Sequence, residues 1–86
     1  MVNKNIIIGI LVGLHARPAS VFSKTAKRFA SDVKVKYKEK IVNGKSAIHI
    51  ITLNAKYGAE VEIIVDGTDE DEALEALTQI LENDME

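Results

Sequence analysis

The spacing of apolar residues switches repeatedly between two periods along this chain, and the order of the switches leaves few folds open. Ile6-Ile7-Ile8 and Ile10-Leu11-Val12 form an apolar, largely β-branched run around Gly9, which suits a pleated surface better than a helix and predicts a buried strand. From Ala16 the period lengthens: Ala19, Phe22, Ala26 and Phe29 form the stripe of an amphipathic helix, with Lys24, Lys27 and Arg28 on its other side. Pro18 is tolerated in the first turn, where its missing N–H would have had no intrahelical acceptor, so the helix is expected to start at residues 15–17. Asp32–Lys38 alternates, with Val33, Val35 and Tyr37 on one face, and predicts a strand with its other face in water. Glu39-Lys40 is the expected tight connection to a short partner strand at Ile41-Val42. Asn43-Gly44 and Tyr57-Gly58 read as turns. Ser46 is placed to cap a short helix, Ala47–Leu53, although that composition equally suits a strand. Val61, Ile63 and Val65 alternate with Glu60, Glu62 and Asp66 in a further strand, and Ile64 makes its far side partly apolar. Thr68 is the expected cap of a last helix, with acids at positions 69–72 near its positive end. Ala73, Leu74, Leu77, Ile80 and Leu81 are its expected buried stripe.

The resulting order is β-α-β-β-α-β-α. Hairpins mixed with helices exclude a doubly wound parallel sheet and predict an α+β layer fold, with helices on one face of a mainly antiparallel four-stranded sheet. The 86 residues are expected to form a single domain, spanning 1–86, with a thin core. The absence of cysteine removes disulfide frameworks, thiol catalysis and cysteine-zinc sites together and fits a cytoplasmic protein. No signal peptide or membrane span is expected, because Ile6–Val12 is interrupted and lacks a small-residue cleavage site. A net charge of −2 argues against nucleic acid as a partner. The charges are nevertheless uneven, basic over Lys24–Lys45 and acidic over Glu60–Glu86, as on a surface polarised for docking an acidic protein.

Chemistry concentrates in Gly13-Leu14-His15-Ala16-Arg17-Pro18-Ala19-Ser20, where a strand gives way to a helix. The first turn of a helix carries N–H groups without intrahelical acceptors at the positive end of the dipole, and both features attract an anion. Arg17 adds a forked cationic donor matched to phosphate oxygens. A neutral imidazole nitrogen is a good nucleophile at cellular pH, since histidine titrates near 6.5. The alternative is an incidental histidine, used as a helix cap or exposed on a loop. The neighbouring Arg17 and Pro18 favour the phosphate site. No glycine-rich nucleotide loop is present, and His15 and His49 have no carboxylate or cysteine neighbours at metal-ligand spacing. Neither a cofactor nor a metal is therefore expected, and one nucleophile without a general acid does not make a complete enzyme.

Gly-Leu-His-Ala-Arg-Pro-Ala at residues 13–19 resembles the active-site segment of HPr, the histidine-containing phosphocarrier family of the sugar phosphotransferase system. The similarity extends along the chain through Asn43–Ser46, Leu53, Gly58-Ala59-Glu60 and Gly67–Ala73. It implies an open-faced β-sandwich with three helices, and a phosphoryl group carried on Nδ1 of His15 with Arg17 helping to hold it. It implies enzyme I as donor and a sugar-specific enzyme IIA as acceptor. It further implies that Ser46 is open to phosphorylation by an HPr kinase/phosphorylase, which would link the chain to a catabolite repression regulator. Ala16, Ser20, Ala47, Ile48 and Ile51 are the implied docking residues. A monomer is expected, because a carrier must expose its histidine to successive partners.

Three positions depart from the family pattern. Val12 replaces a small polar residue, Asn54 a common glycine, and His49 inserts a ring, expected to be partly exposed, into the apolar patch that Ala47 trims. A regulatory adaptor of the same fold with altered partner choice is therefore the competing reading. His15 speaks against an adaptor of the Crh type, which lacks the active-site histidine. An unrelated anion-binding or interaction domain, with His15 incidental, is the third.

Overall fold

In a computed structural model, residues 1–10 and 13–83 are described. The elements follow the order β1 (Val2–Ile7), α1 (Ala16–Ala26), β2 (Asp32–Tyr37), β3 (Lys40–Asn43), α2 (Ala47–Thr52), β4 (Glu60–Asp66) and α3 (Glu70–Glu82). The four strands form one sheet in the order β1-β4-β2-β3, with every neighbouring pair antiparallel. This is the expected α+β class: an open sheet with three helices on one face.

Period-two alternation decides which face the helices cover. Val33 and Val35 of β2 and Val61, Ile63 and Val65 of β4 are buried, while Asp32, Lys34, Glu60 and Asp66 between them are exposed. The helices supply Ala19, Phe22 and Ala26 from α1, Ile50 from α2, and Ala73, Leu77 and Leu81 from α3, and all of these join one core. Each large side chain buried this way is worth about 1.5–3 kcal/mol relative to exposure. Leu74 and Ile80, expected in the α3 stripe, are only half-buried at its edge, as is Phe29, which lies beyond the end of α1. Ile64, on the open face, is also half-buried.

Four local expectations are corrected. Strand β1 runs over Val2–Ile7 and does not continue along the apolar run to Val12, of which Leu11 and Val12 lie outside the described residues. The reason is a change of partner. Beyond Ile7 the chain bonds Ala59 and then the end of α3, with Ile8 N–H donating to the Ala59 carbonyl and Gly9 N–H to that of Leu81, both at 2.8 Å. Ile8 and Ile10 are buried in the core all the same. The β2–β3 connection is Lys38-Glu39, one residue earlier than expected, because Tyr37 pairs with Lys40 across the hairpin. Helix α2 ends at Thr52, with Leu53 as its C-cap.

The fourth correction concerns the cap of α3, which is Asp69 and not Thr68. Asp69 does not cap its own helix with its side chain; its carboxylate reaches the α1–β2 connection. There it accepts the N–H groups of Ala30 (2.9 Å) and Ser31 (3.0 Å) and the Ser31 hydroxyl. The Ser31 hydroxyl first, and then the Ala30 N–H, hold the Asp69 carboxyl below its usual range. This clasp ties the start of α3 to the start of β2.

Candidate functional site

The segment leading into α1 is held by two backbone bonds. Gly13 N–H donates to the Ile10 carbonyl at 2.9 Å, and Leu14 N–H donates to the Ala55 carbonyl at 3.0 Å. Gly13 has φ +75°, and a side chain there would bring its Cβ to 2.9 Å from the Ala55 oxygen and 3.0 Å from Lys56 Cα. The loop after α2 is therefore packed directly against the residues that precede His15. Leu14 and Ala55 are both buried, so this contact is a firm base under an exposed histidine.

His15 is the N-cap of α1, with extended backbone (φ −86°, ψ −171°) and its carbonyl accepting the Ala19 N–H at 3.0 Å. Its side chain makes no capping hydrogen bond, and the first turn of α1 contains no acidic residue. The imidazole is exposed and bonds to no other described residue, so it is not spent on its own helix. Arg17 is the second residue of α1, exposed and without a carboxylate partner among the described residues. Pro18 is buried beneath them in the first turn. An exposed imidazole, a helix start without a carboxylate of its own, and a guanidinium without a carboxylate partner among the described residues thus share one turn.

The other candidate residues occupy two places. Ala16 is exposed beside His15, and Ser20 is half-buried one turn along the same helix. Helix α2 packs beside α1 and carries Ile48 (73% exposed) and Ile51 (38% exposed), with Ala47 half-buried. His49 is exposed there, in keeping with the expected exposure of its ring. Ser46 caps α2 as the sequence predicts, accepting the His49 N–H at 3.4 Å. It lies at the far end of that helix from the loop touching Leu14, a separation of about 9 Å along the six-residue axis. The structure thus groups His15 with Arg17 in the first turn of α1, whereas Ser46 caps a different helix. Val12 lies outside the described residues.

Asn54 sits in the left-handed region, φ +55°, which asparagine tolerates better than most side chains. Missed by sequence reading was the Leu14–Ala55 clamp; no local pattern signals a bond between two loops so far apart in the chain. Among the described residues no three histidine, cysteine, aspartate or glutamate side chains gather as a metal site, and no helix is long and apolar enough to cross a membrane.

Residues 2–83 match the family model described as the PTS HPr component phosphorylation site. The chain is similar to the phosphocarrier protein HPr from Bacillus anthracis, at 38% identity over 93% of this chain and 95% of that one, with a TM-score of 0.90. It is similar to HPr from Thermoanaerobacter tengcongensis, at 40% identity over 95% and 92%, also with a TM-score of 0.90. A third match is Crh, the catabolite repression protein of Bacillus subtilis, crystallised as a swapped dimer, at 39% identity over the whole of both chains and a TM-score of 0.77.

Proposed function

The chain belongs to the HPr family, phosphocarriers of the phosphotransferase system and not catalysts in their own right, and from that premise we propose that its phosphoryl acceptor is His15. The observation that carries this reading is the uncommitted, exposed imidazole at the cap of a helix without an acidic first turn. A lone pair on the imidazole attacks the phosphorus of the phosphorylated donor. The new N–P bond forms as the donor's bond to phosphorus breaks, and reversal of these roles delivers the group to the next protein. Arg17 and the free N–H groups of the first turn balance the charge added to the ring.

Enzyme I is the proposed donor and a sugar-specific enzyme IIA the proposed acceptor. Ala16, Ser20, Ala47, Ile48 and Ile51 form the docking surface beside His15, with the apolar exposure concentrated in Ile48. Such an encounter is brief and small in area, which suits a monomeric, cytoplasmic carrier made of one HPr-like domain over residues 1–86. Incubation with phosphoenolpyruvate and a catalytic amount of cognate enzyme I tests the reading. A gain of one phosphate by intact mass, lost in acid and absent in His15→Ala, is expected; an unchanged mass overturns it.

A second role is supported by the likeness to Crh and by the placement of Ser46 at a helix N-terminus, where added phosphate is electrostatically favoured. In this reading an HPr kinase/phosphorylase modifies Ser46 and the product binds a catabolite repression regulator. Incubation with ATP and such a kinase should add one phosphate to the wild type and none to Ser46→Ala. Absence of phosphate on the wild type removes this role and leaves the carrier reading intact.

A further inference from the structure

Away from His15 and Arg17, the β2–β3 hairpin and the loop after α2 border an open cavity of about 500 Å³. Its lining is Tyr37, Lys38, Glu39 and Lys40 on one side, and Leu53, Asn54 and Lys56 on the other. The lining thus holds three lysines and one glutamate, and none of the three lysines forms an ion pair with a described residue. Two of them are positioned: Lys40 Nζ donates to the Thr52 carbonyl at 3.0 Å, and Lys38 Nζ lies 5.2 Å from the centre of the Tyr37 ring.

The backbone marks the same place. Among the described residues, Lys38 (φ +57°) and Asn54 (φ +55°) are the non-glycine residues held at positive φ, and both line this cavity, on opposite walls. Lys38 opens a two-residue hairpin loop at the position where glycine is favoured. A lysine there costs about 1 kcal/mol of backbone strain, of the kind that gathers at binding sites.

We propose that this cavity binds a small organic phosphate carrying more than one anionic group. Lysines at the rim supply compact cations suited to phosphate. Its volume is of the size that small-molecule sites have. The site adjoins the carrier histidine through one strand of chain: Asn54 and Lys56 flank Ala55, whose carbonyl holds Leu14. Occupancy therefore bears on the segment that positions His15, although the binding itself does not depend on the carrier reading.

The test is a backbone amide NMR titration of the full chain at constant ionic strength with glucose 1,6-bisphosphate, glucose and inorganic phosphate. The bisphosphate should give saturable shifts at residues 37–40 and 53–56, glucose none, and inorganic phosphate binding about tenfold weaker. Lys38→Gln with Lys56→Gln should weaken bisphosphate binding about tenfold, and Lys56→Gln alone by less, while Lys34→Gln on the open sheet face leaves it unchanged. Shifts that do not saturate, that centre on residues 15–17, or that appear equally with glucose overturn the proposal. An equal loss in Lys34→Gln also overturns it, since it reveals a response to net charge alone.

Discussion

Replacing Gly13 by alanine probes the base on which His15 stands, and the structure separates its cost into two parts. The first is conformational. At φ +75° an L-residue is strained, at roughly 1 kcal/mol. The second is steric: the new Cβ would lie 2.9 Å from the Ala55 oxygen, a backbone atom that cannot rotate away. Relief requires the two loops to separate, which stretches the 3.0 Å bond from Leu14 N–H to that same oxygen. Weakening one buried hydrogen bond costs about 0.5–1.5 kcal/mol, and disturbed packing around Leu14 adds about 0.5–1 kcal/mol. The total is about 2–3.5 kcal/mol, or roughly 8–28 °C in Tm for a domain of this size.

Gly58→Ala is the internal reference. Its φ of +85° imposes the same kind of strain, but nothing lies within 4 Å of the new Cβ. It should cost about 1 kcal/mol and no more. Urea unfolding of both variants, followed by circular dichroism, measures the difference directly. If Gly13→Ala is no more destabilised than Gly58→Ala, the two loops are not clamped and the account of the His15 base is wrong.

The remaining expectations concern the site and its supports. Arg17→Ala should slow phosphoryl transfer from enzyme I about tenfold to a hundredfold with an unchanged urea midpoint; an unfolded variant would show a structural role instead. Ser46→Ala should lose about 0.5–1 kcal/mol, at the low end for a cap because the bond to His49 is 3.4 Å long; an unchanged midpoint refutes the cap. The Asp69 carboxyl titrates lower in the folded protein than its usual 3.8, so its stabilisation is present above that value and fades as pH falls through the folded one. Urea midpoints of wild type and Asp69→Asn should differ at neutral pH and converge below pH about 4; a constant gap would mean that ionisation of Asp69 does not matter.

The sequence was most legible where one local force decides. Pro18 locates the start of α1, because only the first turn accepts a residue without an N–H. Alternation in β2 and β4 identifies the buried face, and the register bears it out. Ser46 caps as expected because no other described residue bonds to its hydroxyl. Thr68 and Asp69 are adjacent and both suit a cap, and the choice between them is made by Ala30 and Ser31, far away in sequence. The end of β1 is likewise set by Ala59 and Leu81, partners that no window of the sequence contains. Lys38 hides its strain altogether, since lysine carries no signal for positive φ, whereas Asn54 does.

The uncapped start of α1 has a thermodynamic corollary. On the reading that His15 is the acceptor, phosphorylation supplies the anion that its helix lacks, so the modified protein should resist unfolding better than the free one. Linkage makes this reciprocal: whatever stability the bound group confers on the fold is subtracted from its tendency to leave. A tight cap would turn the carrier into a trap, because each 1.4 kcal/mol of retention costs a factor of about ten in the equilibrium for onward transfer. Solvent exposure of His15 and Arg17 keeps that stabilisation small. On that reading the bare helix end is a setting of group-transfer potential, firm enough to receive a phosphoryl group and weak enough to release it.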